Sequence, residues 1–149
     1  MRLKTDYTDA AWDGERLFEI TDAGNGKSKI KDVTSYTRAG DSFGAKDINA
    51  TNAAINRAAH VANVTLKASA WTGSAPPYSQ QVAVSGITAE DAPELVSALA
   101  DGASLATQKA YAKTFGIISA GTAMTAAGYV TFKVYKKPAT DIMVGLKGV

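Results

Sequence analysis

The sequence contains no cysteine and a single histidine, His60, among its 149 residues. Without thiols the chain can build neither a disulfide framework nor a thiolate metal site, and it suits a reducing compartment. One imidazole cannot form a histidine-based metal cluster within one chain, and no Cys–His pair exists. An excess of one charge is missing too. The formal net charge is +2 and Lys136-Lys137 is the only adjacent basic pair, so no electrostatic footprint for nucleic acid or anionic lipid is present. No apolar run approaches the length of a bilayer span, and Met1-Arg2-Leu3-Lys4-Thr5-Asp6-Tyr7 lacks the apolar core of a signal peptide. We therefore expect partners other than nucleic acid or membrane, no cofactor, and no export by the general secretory route.

Hydrophobic residues make up 46% and charged residues 20%, the balance of a folded chain rather than a disordered one. The length fits one domain, or one small domain with an accessory segment.

Residues 1–42 are polar and broken by turns. Arg16-Leu17-Phe18-Glu19-Ile20-Thr21 and Ser28-Lys29-Ile30-Lys31-Asp32-Val33 each alternate apolar with polar residues, and Asn25-Gly26 between them is a strong hairpin signal. One hairpin is marginal alone in water, so this arm needs something to pack against. Residues 43–62 are alanine-rich and free of proline, which predicts a helix capped by Asp41 or Ser42. Ile48, Ile55 and Ala62 recur every seven residues, with Thr51 and Ala58 at the complementary positions, a narrow seam of the kind that joins helices in a short coiled coil. Burying both isoleucines contributes about 3–6 kcal/mol per chain, too little to hold an oligomer without support at the helix ends.

Residues 63–149 read as the main domain. Strands are predicted at 64–71, 78–85, 94–99, 116–119, 129–135 and 142–146, with one helix at 104–115. The whole is α+β: an N-terminal hairpin arm, an oligomerising helix, and a small, mainly antiparallel β domain carrying one helix.

The motifs that resemble chemistry do not complete it. Gly24-Asn25-Gly26-Lys27-Ser28 ends like a phosphate-binding loop, but the required first glycine is Thr21 and an alternating strand follows instead of a helix. Asp9 to Gly14 matches parts of a calcium loop, yet its third position is Ala11 and its twelfth is Ile20; a weaker cation site on Asp6, Asp9 and Asp13 is the remaining alternative. Glu90 and Asp91 are adjacent beside Pro93, so they would not converge on one glycosidic bond. His60 falls on the outer side of the helical seam. No catalytic residue is assigned, and no enzyme is expected.

Aromatic residues divide by their surroundings. Trp71, Tyr78, Phe132 and Tyr135 lie in or beside alternating strands and suit sheet packing; Trp71 and Tyr78 are also the candidates for contact with a receptor. Tyr7, Trp12 and Tyr36 lie in the polar arm, which has little core of its own, and are the candidates for docking on a larger assembly.

Two stretches carry a resemblance. One runs from Asp6-Tyr7-Thr8-Asp9-Ala10 through Asp32-Val33-Thr34-Ser35-Tyr36-Thr37 into Gly40-Asp41-Ser42-Phe43-Gly44-Ala45-Lys46-Asp47-Ile48-Asn49. The other joins Val64-Thr65-Leu66, the segment Trp71-Thr72-Gly73-Ser74-Ala75-Pro76-Pro77-Tyr78-Ser79-Gln80, and Val84-Ser85-Gly86-Ile87-Thr88. Both resemble modules of appendage proteins, short fibres or baseplate-associated proteins, of tailed bacteriophages and prophages of Gram-positive gut bacteria. The resemblance implies a virion component synthesised in the bacterial host cytoplasm, built as a homo-oligomer, with trimer the favoured state, and contacting other virion proteins. A capsid decoration or head-fibre protein, and a carbohydrate-recognising tip that binds a host surface glycan, are the alternatives it leaves open.

Overall fold

The computed structural model describes residues 3–149. The chain forms two compact units, a first ending at Ala53 and a second spanning Ala54–Val149. The boundary falls inside a helix. The sequence reading divides the chain at 1–42, 43–62 and 63–149; the boundary between the two units lies within the middle segment of that division.

In the first unit, β1 (Ala11–Trp12) pairs antiparallel with β4 (Tyr36–Arg38), and β2 (Phe18–Gly24) pairs with β3 (Lys27–Asp32). Asn25 and Gly26 both adopt positive φ, 54° and 69°, the conformation of the two-residue turn whose twist matches a hairpin. The Gly-Lys-Ser sequence is therefore part of a hairpin, as its alternation predicts. α1 (Ala45–Ala59) follows. Neither Asp41 nor Ser42 caps it. Instead Asp47 in the first turn accepts a hydrogen bond from the Gly44 N–H at 2.9 Å, half of a capping box, while Asp41 is committed elsewhere.

The second unit contains two three-stranded antiparallel sheets. Its strands are β5 (Val61–Leu66), β6 (Tyr78–Ala83), β7 (Glu94–Ser97), β8 (Thr122–Ala126), β9 (Tyr129–Val134) and β10 (Ile142–Lys147), with α2 (Leu105–Ser119) between β7 and β8. The sheet orders are β5-β10-β7 and β6-β9-β8, so β7 and β8 are each an edge. Alternation places Val64 and Leu66 of β5, Val130, Phe132 and Val134 of β9, and Ile142, Val144 and Leu146 of β10 in one core. α2 closes that core through a stripe at helical spacing, with Thr114 and Ile118 buried and Tyr111 and Phe115 half-buried. Gly145 sits at the centre of its sheet, where an added Cβ would lie 2.7 Å from Val96 Cγ2 and 2.8 Å from Val61 Cγ1.

Several expected boundaries change. The strand predicted at 116–119 is the last turn of α2, because Ile118 extends the stripe of Tyr111, Thr114 and Phe115 by one more turn. A short apolar run is ambiguous between the two structures. β8 has no counterpart in the sequence reading, since Thr-Ala-Met-Thr-Ala carries little strand preference. The strand expected at 64–71 instead covers Val61–Leu66 and gives way to a 3₁₀ turn at Ala68–Ala70, whose first N–H donates to Asp141 Oδ1 at 2.7 Å. The mixed α+β class and the antiparallel pairing stand.

Candidate interaction surfaces

Among the described residues, every buried hydrophobic side chain lies at Val64 or beyond, and Thr34 is the only buried residue of the first unit. That unit is held by polar stitching around three carboxylates. Asp32 accepts from Arg16 Nη2 and the Tyr36 hydroxyl, both at 2.5 Å, and from the Thr34 N–H at 3.0 Å. Asp41 accepts from Lys4, from the Thr8 N–H at 2.8 Å and from the Thr8 hydroxyl at 3.0 Å. Asp47 accepts from the Tyr7 hydroxyl at 2.7 Å in addition to Gly44. These donors favour the ionised forms. The Lys4 ammonium, then Thr8, lowers Asp41 to about 2; Thr34, then Tyr36 and Arg16, holds Asp32 well below the usual carboxylate range; the Gly44 N–H, then Tyr7, lowers Asp47.

The three arm aromatics are partly occupied by these local contacts. Tyr7 stands edge-on to Phe43 with centroids 5.5 Å apart, and Trp12 edge-on to Tyr36 at 6.1 Å. All three remain exposed. A more open surface lies on the hairpin and was missed in the sequence. Phe18 is opposite Asp32 and Ile20 opposite Ile30, so these apolar residues share one face, while Glu19 opposite Lys31 and Thr21 opposite Lys29 make the other. Ile20 and Ile30 are 68% and 70% exposed. The alternation that identifies the strands also marks this face.

α1 presents two adjacent stripes. Asp47, Ala50, Ala54 and Arg57, at spacings of three and four, are half-buried, whereas Ile48, Thr51, Ile55 and Ala58 are exposed. Ile48 is 46% and Ile55 59% exposed. The Thr51 hydroxyl donates to the Asp47 carbonyl at 3.0 Å. Arg57 donates to the Gly86 carbonyl at 3.1 Å and to Asp91, tying the last turn to the following loop. Ala62 does not belong to the seam. It lies in β5 opposite Leu146 and packs on the core, because the helix ends at Ala59. His60, also beyond the helix end, is exposed, with Nδ1 2.8 Å from the Val149 main-chain oxygen.

Of the two receptor candidates, Trp71 is only 5% exposed and packs in the core of the second unit, which favours its packing role and corrects its assignment as a surface contact. Tyr78 is half-buried, with the Lys137 ammonium 4.6 Å above its ring. Among the described residues no three acidic or histidine side chains converge as a group that could hold a metal ion, so Asp6, Asp9 and Asp13 are not brought together. Asp91 serves as an anchor: its carboxylate accepts from the Thr88 N–H at 2.7 Å, the Thr88 hydroxyl at 3.1 Å and Arg57, and the Thr88 N–H foremost lowers its pKa.

A cleft of about 450 Å³ opens in the second unit, walled by Leu95 of β7, Thr122 and Met124 of β8, and Ile118 at the end of α2, with Phe132 and Leu146 among its apolar lining. Comparison with family models, curated proteins and solved structures finds no match for the chain.

Proposed function

We propose that the chain is a non-catalytic structural protein of a phage virion, a tail-fibre or baseplate appendage. Its first unit docks on neighbouring virion proteins, its copies associate along α1, and its second unit carries the displayed surface. The observation that carries this reading is the pair of stripes on α1. The stripe containing Ala50 and Ala54 is half-buried, whereas the isoleucine stripe, with the heptad spacing of a helix seam, is left in water. An apolar face of that kind is stabilised when identical copies bring their seams together, and cyclic symmetry lets every copy do so at once. The hairpin face of Phe18, Ile20 and Ile30 is a second surface that gains from being covered. The virion assignment itself rests on the resemblance described from the sequence.

The oligomer is tested by light scattering of the purified chain at micromolar concentration. A trimer is expected, and a monomer would remove the role given to α1. Ile48→Asp combined with Ile55→Asp should yield monomers whose second unit unfolds at an unchanged temperature. Labelled antibody fragments against the chain, imaged on intact virions, should decorate the tail; decoration of the shell would move the protein to the capsid, and no decoration would end the virion reading.

A further inference from the structure

The cleft in the second unit has a structural origin that also defines what fits it. β8 and β7 are each an edge of their sheet, and both contribute to the lining. The inward residues of β8 are small, Ala123 opposite Phe132 and Thr125 opposite Val130, while β7 contributes Leu95, opposite Leu146. Bulk is therefore missing on the β8 side of the cleft. Ala123 lies on the same face of its sheet as the buried Phe132, yet it is exposed, because the core opens to solvent at this point. One boundary of the cleft is the loop of residues 89–93, fastened to β8 by the Thr125 hydroxyl through the carbonyls of Ala89 at 3.2 Å and Asp91 at 2.8 Å.

The chemistry of the lining selects among occupants. Asp91 is the only ionisable residue in it, and its carboxylate is already held by Arg57 and Thr88. The Ser119 hydroxyl is directed to the Gly116 carbonyl. A charged small molecule would find no free counter-charge there. What the site offers is an apolar floor beside the backbone of an edge strand whose residues Thr122, Ala123 and Met124 are exposed. That combination recognises a strand: main-chain hydrogen bonds to the edge supply affinity, and alternate side chains enter the pocket. Successive inward side chains of such a strand lie about 7 Å apart, and a cavity of this size holds two or three of them.

We infer that the cleft receives an extended segment of another protein, with apolar side chains at alternate positions, added as a strand to the free edge of β8. The inference uses only the second unit and stands apart from the virion reading. It is tested by isothermal calorimetry and hydrogen-exchange mass spectrometry of the full chain with a capped octapeptide, Lys-Thr-Val-Thr-Val-Thr-Val-Lys. Binding should protect the amides of residues 122–126. Ala123→Lys should weaken it at least tenfold without altering the unfolding temperature, and backbone N-methylation of the three valines should weaken it equally. If Ala123→Lys unfolds the chain, Ala123→Leu, which fills the cleft with apolar atoms, takes its place with the same expectation. Absence of binding at millimolar peptide, protection elsewhere, or equal affinity for the N-methylated peptide would overturn the inference. So would a change of molecular mass on substituting Ala123 without peptide, which would make a second copy of this chain the occupant.

Discussion

The two units of this chain are held together by different physics. In the second, thirteen buried hydrophobic residues from three strands, one helix and three connecting or terminal segments form a common core. The first has no buried hydrophobic side chain among its described residues, and three aspartates gather the N–H and O–H groups of its turns. Burial stabilises through the area withdrawn from water, whatever the pH. Exposed carboxylate contacts stabilise weakly, depend on ionisation and are screened by salt. The second unit has what an independent fold requires, whereas the first is shaped but leaves its apolar faces uncovered.

Four perturbations sharpen that contrast. Leu66→Ala, at a fully buried site in β5, should lower the stability of the second unit by about 2–5 kcal/mol, measured by denaturant unfolding followed through the buried Trp71. Thr34→Val should act on the first unit only. The Thr34 hydroxyl accepts from the Leu17 N–H at 2.9 Å, and losing a part-buried partner costs about 1–3 kcal/mol; hydrogen exchange at residues 17–34 reads it. Acidification should separate the units by how far each relies on ionised carboxylates. Asp41 has its pKa lowered from 3.8 to about 2, and Asp32 and Asp47 are lowered as well, so their contribution is complete above 3.8 and is lost as the pH falls towards 2. Faster exchange throughout the first unit across that window, with the second loosening only around Asp91, whose pKa is also lowered, is the expected outcome; simultaneous loosening of the core strands would erase the distinction. Smallest is Ile20→Ser with Ile30→Ser. At such exposed positions the stability of the isolated chain should move by no more than about 0.5 kcal/mol, while binding of an apolar dye to the hairpin should fall.

Much of the fold was legible because it is written in period. The hairpin, α1 and most strands of the second unit follow from alternation or helical spacing, and Asn25-Gly26 announced its turn. The errors occur where local pattern is outvoted by packing. The last turn of α2 reads as a strand until Ile118 is seen to join the stripe begun at Tyr111. β8 was missed since its inward residues are small, which is the same property that opens the cleft. Ala62 kept the heptad spacing of Ile48 and Ile55 although the chain had already left the helix for β5. Of the interaction surfaces, the isoleucine stripe could be read from spacing alone. The hairpin face lies in the same alternation that identifies its strands, in a segment whose lack of a core already called for something to pack against. The cleft could not be read this way, because it depends on two edge strands distant in sequence.

Gly145 has a consequence for how this sequence can change over time. Its missing side chain is replaced by methyl groups of Val96 and Val61, contributed by the strands on either side. Three positions far apart in the chain thereby inherit one shared allowance of volume. A methyl gained at Gly145 is tolerable only in a background where Val61 and Val96 have both become smaller, so these sites should drift together or not at all. In a family of relatives they would appear as a covarying trio, with the order of substitution constrained: the valines must shrink before the glycine can grow.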